Sequence, residues 1–537
     1  MDLKNYFPIG YKPSLSQSKA LDKIQTAFEK TDTVIITAPT GTGKSFFAST
    51  LSNSSSEISK EAKEKIYNYT AFDVDHHGQY TDTDNIEPHG GFVLTITKAL
   101  QDQYIKLFNC NSLKGKNNYM STIDTTMDVE IESAVIPKKI LNKHRTSHKC
   151  NYYNDRRDLL VSQFGTTNYK MFMNLPDHVK YRDYIICDEA SELEDELVSQ
   201  CSCTIEYERL KRANISVKKL TSSEPLTVYA WLDDLVQTLQ EQRIFLQRSL
   251  QKKSQWSPKS QSKYRFINQL LSHVTVCTNN YYECEYVVEK DYNKVSLTPL
   301  YVDALSKNIL SFGKKRLLMS ATIIDPGRFA KSLGISDYEY IEVDSTFEPS
   351  RSPIYVSSKY PLSRKTMGNY LPKIVSNITP ILYTHADEKG IIHTHTHEIT
   401  QYIKDHNPDP DKNRLIFREP GVSNEDILTK HSEDGHASVL VSPSLTYGVD
   451  LKDELARFQI IIKLPYLPLH DKRVKQLFDE DPEWYENKML NSLVQACGRA
   501  TRSKNDYSVT YILDGMSTKI ISKCKHKLPK HFLQRFA

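Results

Sequence analysis

The sequence predicts an α/β protein with two parallel-sheet domains and a helical insertion in the first. Three observations carry this. Apolar, β-branched runs alternate with helix-like segments; from about Glu192 to Val295 the pattern changes to long helical periodicity; and a second series of strand-like runs begins near Tyr355. At 537 residues the chain is also too long for one core, and about three or four domains is the soft expectation.

The first strand is expected at Thr33-Val34-Ile35-Ile36, running directly into "TAPTGTGKS" (Thr37 to Ser45) and a helix start. The polar stretches "SNSSSEISKEAKEK" and "DHHGQYTDTDNIEPHG" that follow read as a surface insertion. Strand patterns return at "GFVLTIT" (Gly91 to Thr97) and "DYIICDE" (Asp183 to Glu189), each with a helix-like segment behind it. "TVYAWLDDLVQTLQEQRIFLQRSLQKK" is long and amphipathic, and "KRLLMSATII" (Lys315 to Ile324) brings the chain back to the first sheet. The second series comprises "GIIHTHT", "SVLVSPS", "FQIIIKLP" and "YSVTYILD".

Composition excludes little but sets the class. Lys+Arg 70 against Asp+Glu 66 leaves a net charge of +4, which permits a nucleic-acid partner without demanding one. No apolar run reaches the roughly 20 residues that span a bilayer, and the first residues lack a secretory signal pattern. The expectation is a protein of the cytoplasm of a bacterial or phage-infected cell, with no membrane partner. Nine cysteines with no CxxC pair read as reduced thiols, and Cys187 and Cys497 as small apolar packers.

Three segments carry chemistry. In A-x-x-x-x-G-K-S, Ala38 to Ser45, the backbone N–H groups of Thr40, Gly41, Thr42 and Gly43 can face phosphate, with Lys44 on the terminal phosphates and Ser45 on Mg²⁺. "ICDEASELEDEL" ends a strand in Asp188-Glu189, where one carboxylate holds Mg²⁺ and the next orients or deprotonates water. The plain alternative is an acidic helix start; the upstream phosphate loop favours the catalytic reading. Glu192, Glu194, Asp195 and Glu196 read as a solvated helix face. "QACGRATRS" (Gln495 to Ser503) sets Arg499 and Arg502 on one helical face. Beside a phosphate loop they suit stabilisation of phosphoryl-transfer charge from the second domain.

Together these segments resemble the superfamily 2 helicases of the XPD/DinG branch. "YKPSLSQ" resembles the glutamine motif, with Gln17 as adenine reader and Ser14 where an arginine is common. "TAPTGTGKS" and "TITKALQDQY" (Thr95 to Tyr104) look like motifs I and Ia. "LKGKNNYMS" (Leu113 to Ser121), "CNYYNDRR" and "TTNYKMFM" are similar to segments specific to that branch. "DEAS" resembles motif II and "LLMSATI" motif III, while "GIIHTHT", "SPSLTYGVDL" and "QACGRATR" look like motifs IV, V and VI.

The resemblance implies two RecA-like domains. The first would comprise 1–104, 181–191 and 299–350, with a wedge-like insertion at 105–180, at the iron–sulfur-domain position, and an arch-like helical insertion at 192–298. The second would be 351–537. It implies ATP and Mg²⁺ as cofactors, Gly448, Asp450 and Gln495 at the ATP, and Thr95, Thr97, Gln101, Asn168, Tyr169, Thr394, His395 and Thr446 along the nucleic acid. It implies 5′ to 3′ movement on single-stranded DNA, with forked or flapped duplex and replication, recombination or repair proteins as partners. "KSQWSPKSQSKYRF" in the arch mixes cations with rings, suited to phosphates and base stacking or to a solvated helical surface.

Two departures matter. Cluster-bearing members use four cysteines, the first just after the Asn-Tyr of "KGxxNY"; here that place is Ser121, and only Cys110 and Cys150 remain before the motif II strand. An iron–sulfur cluster is therefore not expected, although Cys110, His144, His148 and Cys150 offer a Cys₂His₂ alternative. Ser191 replaces the motif II histidine, so coupling between nucleotide and strand is expected to be altered. "HTHTH" (His393 to His397) offers alternate imidazoles on one strand face, with packing or a nucleic-acid contact favoured over metal. A start so near the glutamine motif leaves no place for a fused N-terminal nuclease, and a compact phage-type protein is expected. The rival readings are an RNA or DNA–RNA hybrid motor, since phosphate contacts do not distinguish sugars, and an ATP-switched nucleic-acid-binding module that separates no strands.

Overall fold

A computed structural model describes residues 2–71, 87–147, 149–251, 257–345, 347–357, 359–418, 422, 424–443, 453–498 and 506–537. In chain order the strands open with β1 (Thr33–Thr37), β2 (Gly91–Thr95), β3 (Asn111–Leu113), β4 (Phe164–Asn168) and β5 (Arg182–Asp188). An excursion follows through β6 (Cys203–Glu206), β7 (Tyr286–Lys290) and β8 (Lys294–Pro299), after which β9 (Gly313–Ser320) and β10 (Glu339–Glu342) return. Among the described residues these build a seven-stranded sheet in the order β10-β1-β9-β5-β2-β4-β3, parallel throughout. Every residue of β1 and β2 is buried, as a parallel strand covered by helices on both faces requires.

The second sheet is also parallel. β11 (Ile354–Val356), β12 (Gly390–His393), β13 (Leu415–Phe417), β14 (Val439–Ser442), β15 (Phe458–Ile461) and β16 (Val509–Ile512) stand in the order β11-β16-β15-β12-β14-β13. The expected α/β class with two RecA-like sheets is what the chain adopts.

One expectation needs correction. The stretch 105–180 is not wholly an insertion, because β3 and β4 inside it extend the first sheet. "FGTTN" looks polar, yet Thr166 Oγ1 donates to Val93 O at 3.2 Å and Thr167 Oγ1 to Leu113 O at 3.0 Å, so its hydroxyls are satisfied within the buried sheet. A Cβ on Gly165 would stand 2.6 Å from Leu159 Cδ1, so glycine is needed for that close approach.

The subdomain between β3 and β4 carries helices Val129–Val135, Lys138–Thr146 and Asn151–Val161. It leans on the helical excursion: Met127, Ile131, Ala134 and Val135 pack against Leu250 and Tyr264. The Arg265 guanidinium reaches Asp128 at 2.8 Å, and Asn268 donates to Glu130 at 3.2 Å. The excursion pairs long helices Pro225–Gln251 and Pro258–Asn280 over the antiparallel sheet β6-β8-β7, with Trp231, Leu235, Ile267 and Val274 in its core.

Glu194, expected on a solvated face, is instead buried where the two sheet domains meet. Its carboxylate receives Arg473 at 2.9 Å, Lys488 at 3.1 Å and the Trp484 indole N–H at 3.2 Å. Burial alone would raise this carboxyl, but Lys488 and Arg473 more than offset that and hold it at about 2. Lys488 also pairs with Asp195 at 3.0 Å. Charge periodicity on one helix cannot report a partner almost 300 residues away.

Candidate active site

The loops that follow β1, β5 and β9 leave the carboxyl ends of adjacent strands, Thr37 lying opposite Ser320 and Asp188 opposite Met319. In open parallel sheets this is where ligands bind. The phosphate loop turns through Gly41 and Gly43, with φ of 81° and 84°, and Gly43 caps the helix Lys44–Ser54. Left-handed backbone there aims successive N–H groups into the turn. Thr42 is buried and donates to Pro39 O at 2.7 Å, bracing the loop. Gln17 accepts from Ser14 N at 2.9 Å, completing the capping box of helix Leu15–Ala27, and donates to Thr42 O at 3.1 Å. The expected adenine reader thus stands against the phosphate loop.

Lys44 Nζ stands 3.5 Å from Glu189 Oε1. Glu189 has φ 50°, a left-handed conformation uncommon for a non-glycine residue and frequent at functional sites. Asp188 is buried and accepts from the Tyr104 hydroxyl at 2.9 Å. Burial, then the charge of Glu189, pushes its carboxyl up to about 6, with Lys44 pulling it back. A carboxylate so disfavoured as an anion, beside the phosphate loop, fits a divalent cation. When bound, Mg²⁺ would neutralise phosphate charge there. Burial together with Asp188 raises Tyr104 well above the usual phenol range, so it remains a donor. Tyr104 is a site residue to which sequence reasoning gave no role; its place at the end of "TITKALQDQY" was the available signal.

A chain of hydrogen bonds leads from this centre to the second sheet domain. Ser320 Oγ donates to Glu189 Oε2 at 3.3 Å, Ser191 Oγ lies 2.8 Å from Ser320 Oγ, and Gln495 Nε2 donates to Ser191 Oγ at 2.9 Å. Ser191 is therefore itself a connection between motif II, the end of β9 and the helix Pro482–Cys497. Ser320 was missed as a site residue because one serine at a strand end is indistinguishable from a packing residue until the fold sets it beside Glu189. The helix carrying Gln495 ends at Gly498, where a Cβ would lie 4.0 Å from Thr40 Oγ1. The "QACG" segment thus abuts the phosphate loop. Arg499, Arg502, Thr446, Gly448 and Asp450 lie outside the described residues.

Several residues expected along a nucleic acid have buried side chains bonded within the fold. Gln101 donates to Ser112 Oγ at 2.6 Å and Leu113 O at 2.8 Å; the Tyr169 hydroxyl donates to Asp188 O at 3.1 Å. Thr95 donates to Thr97 O at 3.1 Å, and Thr394 lies 2.6 Å from Thr400 Oγ1, both buried. Thr97 and Asn168 are partly exposed helix caps, accepting from Leu100 N and Met171 N. His395 has φ 63° and its Nε2 lies 2.9 Å from Tyr466 O, with burial lowering its pKa. His393 is buried and His397 exposed.

The alternative Cys₂His₂ set is split between two cores. Cys110 packs under the first sheet with Tyr104 and Val93, whereas Cys150 belongs to a different core with Tyr152 and Val129. His148 lies outside the described residues.

Two parallel sheets, a phosphate loop, an acidic pair and a side-chain link between the sheet domains give the architecture of a two-domain nucleotide-binding protein. Residues 392–535 match the helicase C-terminal domain family. "ATP-dependent DNA helicase CHL1" of Kluyveromyces lactis is 21% identical over 488 residues, covering 72% of this chain and 59% of that protein. The protein of the same name from Debaryomyces hansenii is 30% identical over 130 residues, 19% of this chain and 16% of that one. The chain therefore spans less than two thirds of the length of these curated relatives. Among solved structures, an XPD helicase superposes with a TM-score of 0.56 at 16% identity, covering 96% of this chain and 98% of that one. S. tokodaii Xpd4 gives 0.54 at 13%, with the same coverage; at such identities the likeness concerns the fold. The chain thus carries a match to the helicase C-terminal domain family over residues 392–535 and is similar in fold, over nearly its whole length, to XPD helicases. No helix among the described residues is long and apolar enough to cross a membrane.

Proposed function

We propose that this chain is an ATP-driven motor on single-stranded DNA that advances 5′ to 3′ and opens forked or flapped duplex. The observation that carries the reading is the link Glu189–Ser320–Ser191–Gln495, through which the carboxylate beside the nucleotide site touches a helix of the other domain. A link of this kind lets a change at the phosphates alter the angle between domains, which is how hydrolysis becomes movement. In this reading Lys44 holds phosphate, Ser45 and Asp188 the Mg²⁺, Glu189 the attacking water, and Arg499 with Arg502 the transferring charge. Gly498 beside Thr40 supports that last assignment. The preference for DNA is supported by the names of the relatives.

Steady-state ATP hydrolysis with and without single-stranded DNA or RNA, followed by duplex unwinding with 5′ or 3′ tails, tests it. Strong stimulation by DNA and opening from a 5′ tail are expected. Stimulation by RNA alone would move the substrate to RNA, and turnover indifferent to any strand would favour the ATP-switched binding module.

Ser191→Ala is expected to reduce strand-stimulated turnover about two- to tenfold, the worth of about 0.5–1.5 kcal/mol in one hydrogen bond. Nucleotide binding should persist, because Ser191 touches Ser320 and Gln495 rather than the phosphate loop. Unchanged stimulation would remove Ser191 from the coupling path.

A further inference from the structure

We infer that Glu132, His144 and Cys150 form a structural divalent transition-metal site, of zinc type, that ties together the helices of the subdomain between β3 and β4. One carboxylate oxygen, one imidazole nitrogen and the Cys150 sulfur lie within 4.8 Å of one another. In a tetrahedral zinc site with bonds of about 2.0–2.3 Å, donor atoms stand about 3.5 Å apart, so a modest contraction brings all three onto one ion. Each comes from a different element: Glu132 from helix Val129–Val135, His144 from Lys138–Thr146, and Cys150 from the N-cap of Asn151–Val161.

The donors are prepared for a cation. Glu132 is completely buried, and neither of its carboxylate oxygens has a hydrogen-bond partner among the described residues. A buried carboxylate is ordinarily paired, hydrogen-bonded or on a metal. The His144 ring has its tautomer set from outside: Thr122 Oγ1 donates to Lys149 O at 3.0 Å, so at its 3.0 Å contact with His144 Nε2 the hydroxyl is the acceptor. Nε2 therefore carries the hydrogen and Nδ1, which has no hydrogen-bond partner among the described residues, presents its lone pair. Cys150 is buried at the N-cap of its helix and supplies the sulfur of the set. One carboxylate, one thiolate and a neutral imidazole cancel the charge of a divalent ion, and this mixture of soft and borderline donors suits zinc. The resemblance implied four cysteines around iron and sulfide; this set shares none of that chemistry beyond one thiol and is independent of the motor reading.

The purified full chain, stripped of metal under reducing conditions, is titrated with Co²⁺, and separately loaded with zinc, desalted and analysed for metal. One ion per chain and a thiolate-to-cobalt charge-transfer band are expected in the unaltered protein, which keeps the test independent of whether variants fold. Cys150→Ser should lose the band, Cys110→Ser should keep it, and Glu132→Gln and Thr122→Val should each weaken metal binding at least about tenfold. Substoichiometric zinc, cobalt binding without a thiolate band, an iron–sulfur spectrum in the isolated protein, or a band that survives in Cys150→Ser would each overturn the assignment.

Discussion

Lys44→Ala should abolish ATP hydrolysis while leaving nucleic-acid binding detectable. The Lys44 ammonium is the cation that the phosphate loop presents at its helix start, 3.5 Å from the Glu189 carboxylate. Removing one preorganised group that stabilises transferring charge costs about 10²–10³-fold in turnover. Here the loss should be at the upper end, because the truncation also removes the ammonium 3.5 Å from Glu189, the residue proposed to hold the attacking water. Strand binding, proposed to draw on surfaces of both domains, should survive. Turnover is read by steady-state phosphate release and binding by fluorescence anisotropy of a labelled strand. Residual turnover near that of the unaltered chain would sink the assignment of the phosphate loop.

The second large effect is expected on stability. Glu194→Gln keeps the shape of the buried side chain but removes the charge that Arg473 and Lys488 share. Both cations remain in place; Arg473 is further held by carbonyls of Pro299 and Leu300, at 2.9 and 3.2 Å. Breaking a buried pair from one side typically costs about 3–5 kcal/mol. That exceeds the about 0–1 kcal/mol of an exposed pair such as Lys475 with Asp479. The loss should concentrate at the contact between the sheet domains, visible as an earlier calorimetric transition and as proteolysis between them. The pH dependence follows from the sign of the shift. Glu194 has a folded value of about 2 against an ordinary 4.5, so its contribution is complete above about pH 4.5 and disappears as pH falls through about 2. The difference between the two proteins should accordingly be largest at neutral pH and narrow across that window. A variant as stable as the parent at pH 7 would show that Glu194 does not hold the interface.

How far the candidate site was legible depends on the distance over which its parts act. Thr37 to Ser45 and the Asp188-Glu189 pair are local: a buried β-branched strand and the loop after it specify one another, and the pattern survives without partners. Gln101, Tyr169 and Thr394 fall in motif-like segments, but whether a side chain faces a ligand or the core depends on what packs against it, and for these three the core prevails. Ser191 reads as a loss where a histidine is common, yet its short hydroxyl is met by Ser320 and Gln495, residues 129 and 304 positions away.

The alternation of apolar strands with helices, and the phosphate loop and acidic pair at strand ends, are properties of residue type and short spacing. They determined the fold class and the order of segments, and they carry the proposed nucleotide chemistry. Long-range packing settled the rest. The two strands hidden in polar sequence between Asn111 and Asn168, the burial of Glu194 against Arg473 and Lys488, and the meeting of Glu132, His144 and Cys150 each depend on desolvation by residues remote in the chain. Burial changes what a polar group must do, and no local pattern records which groups will lose their water.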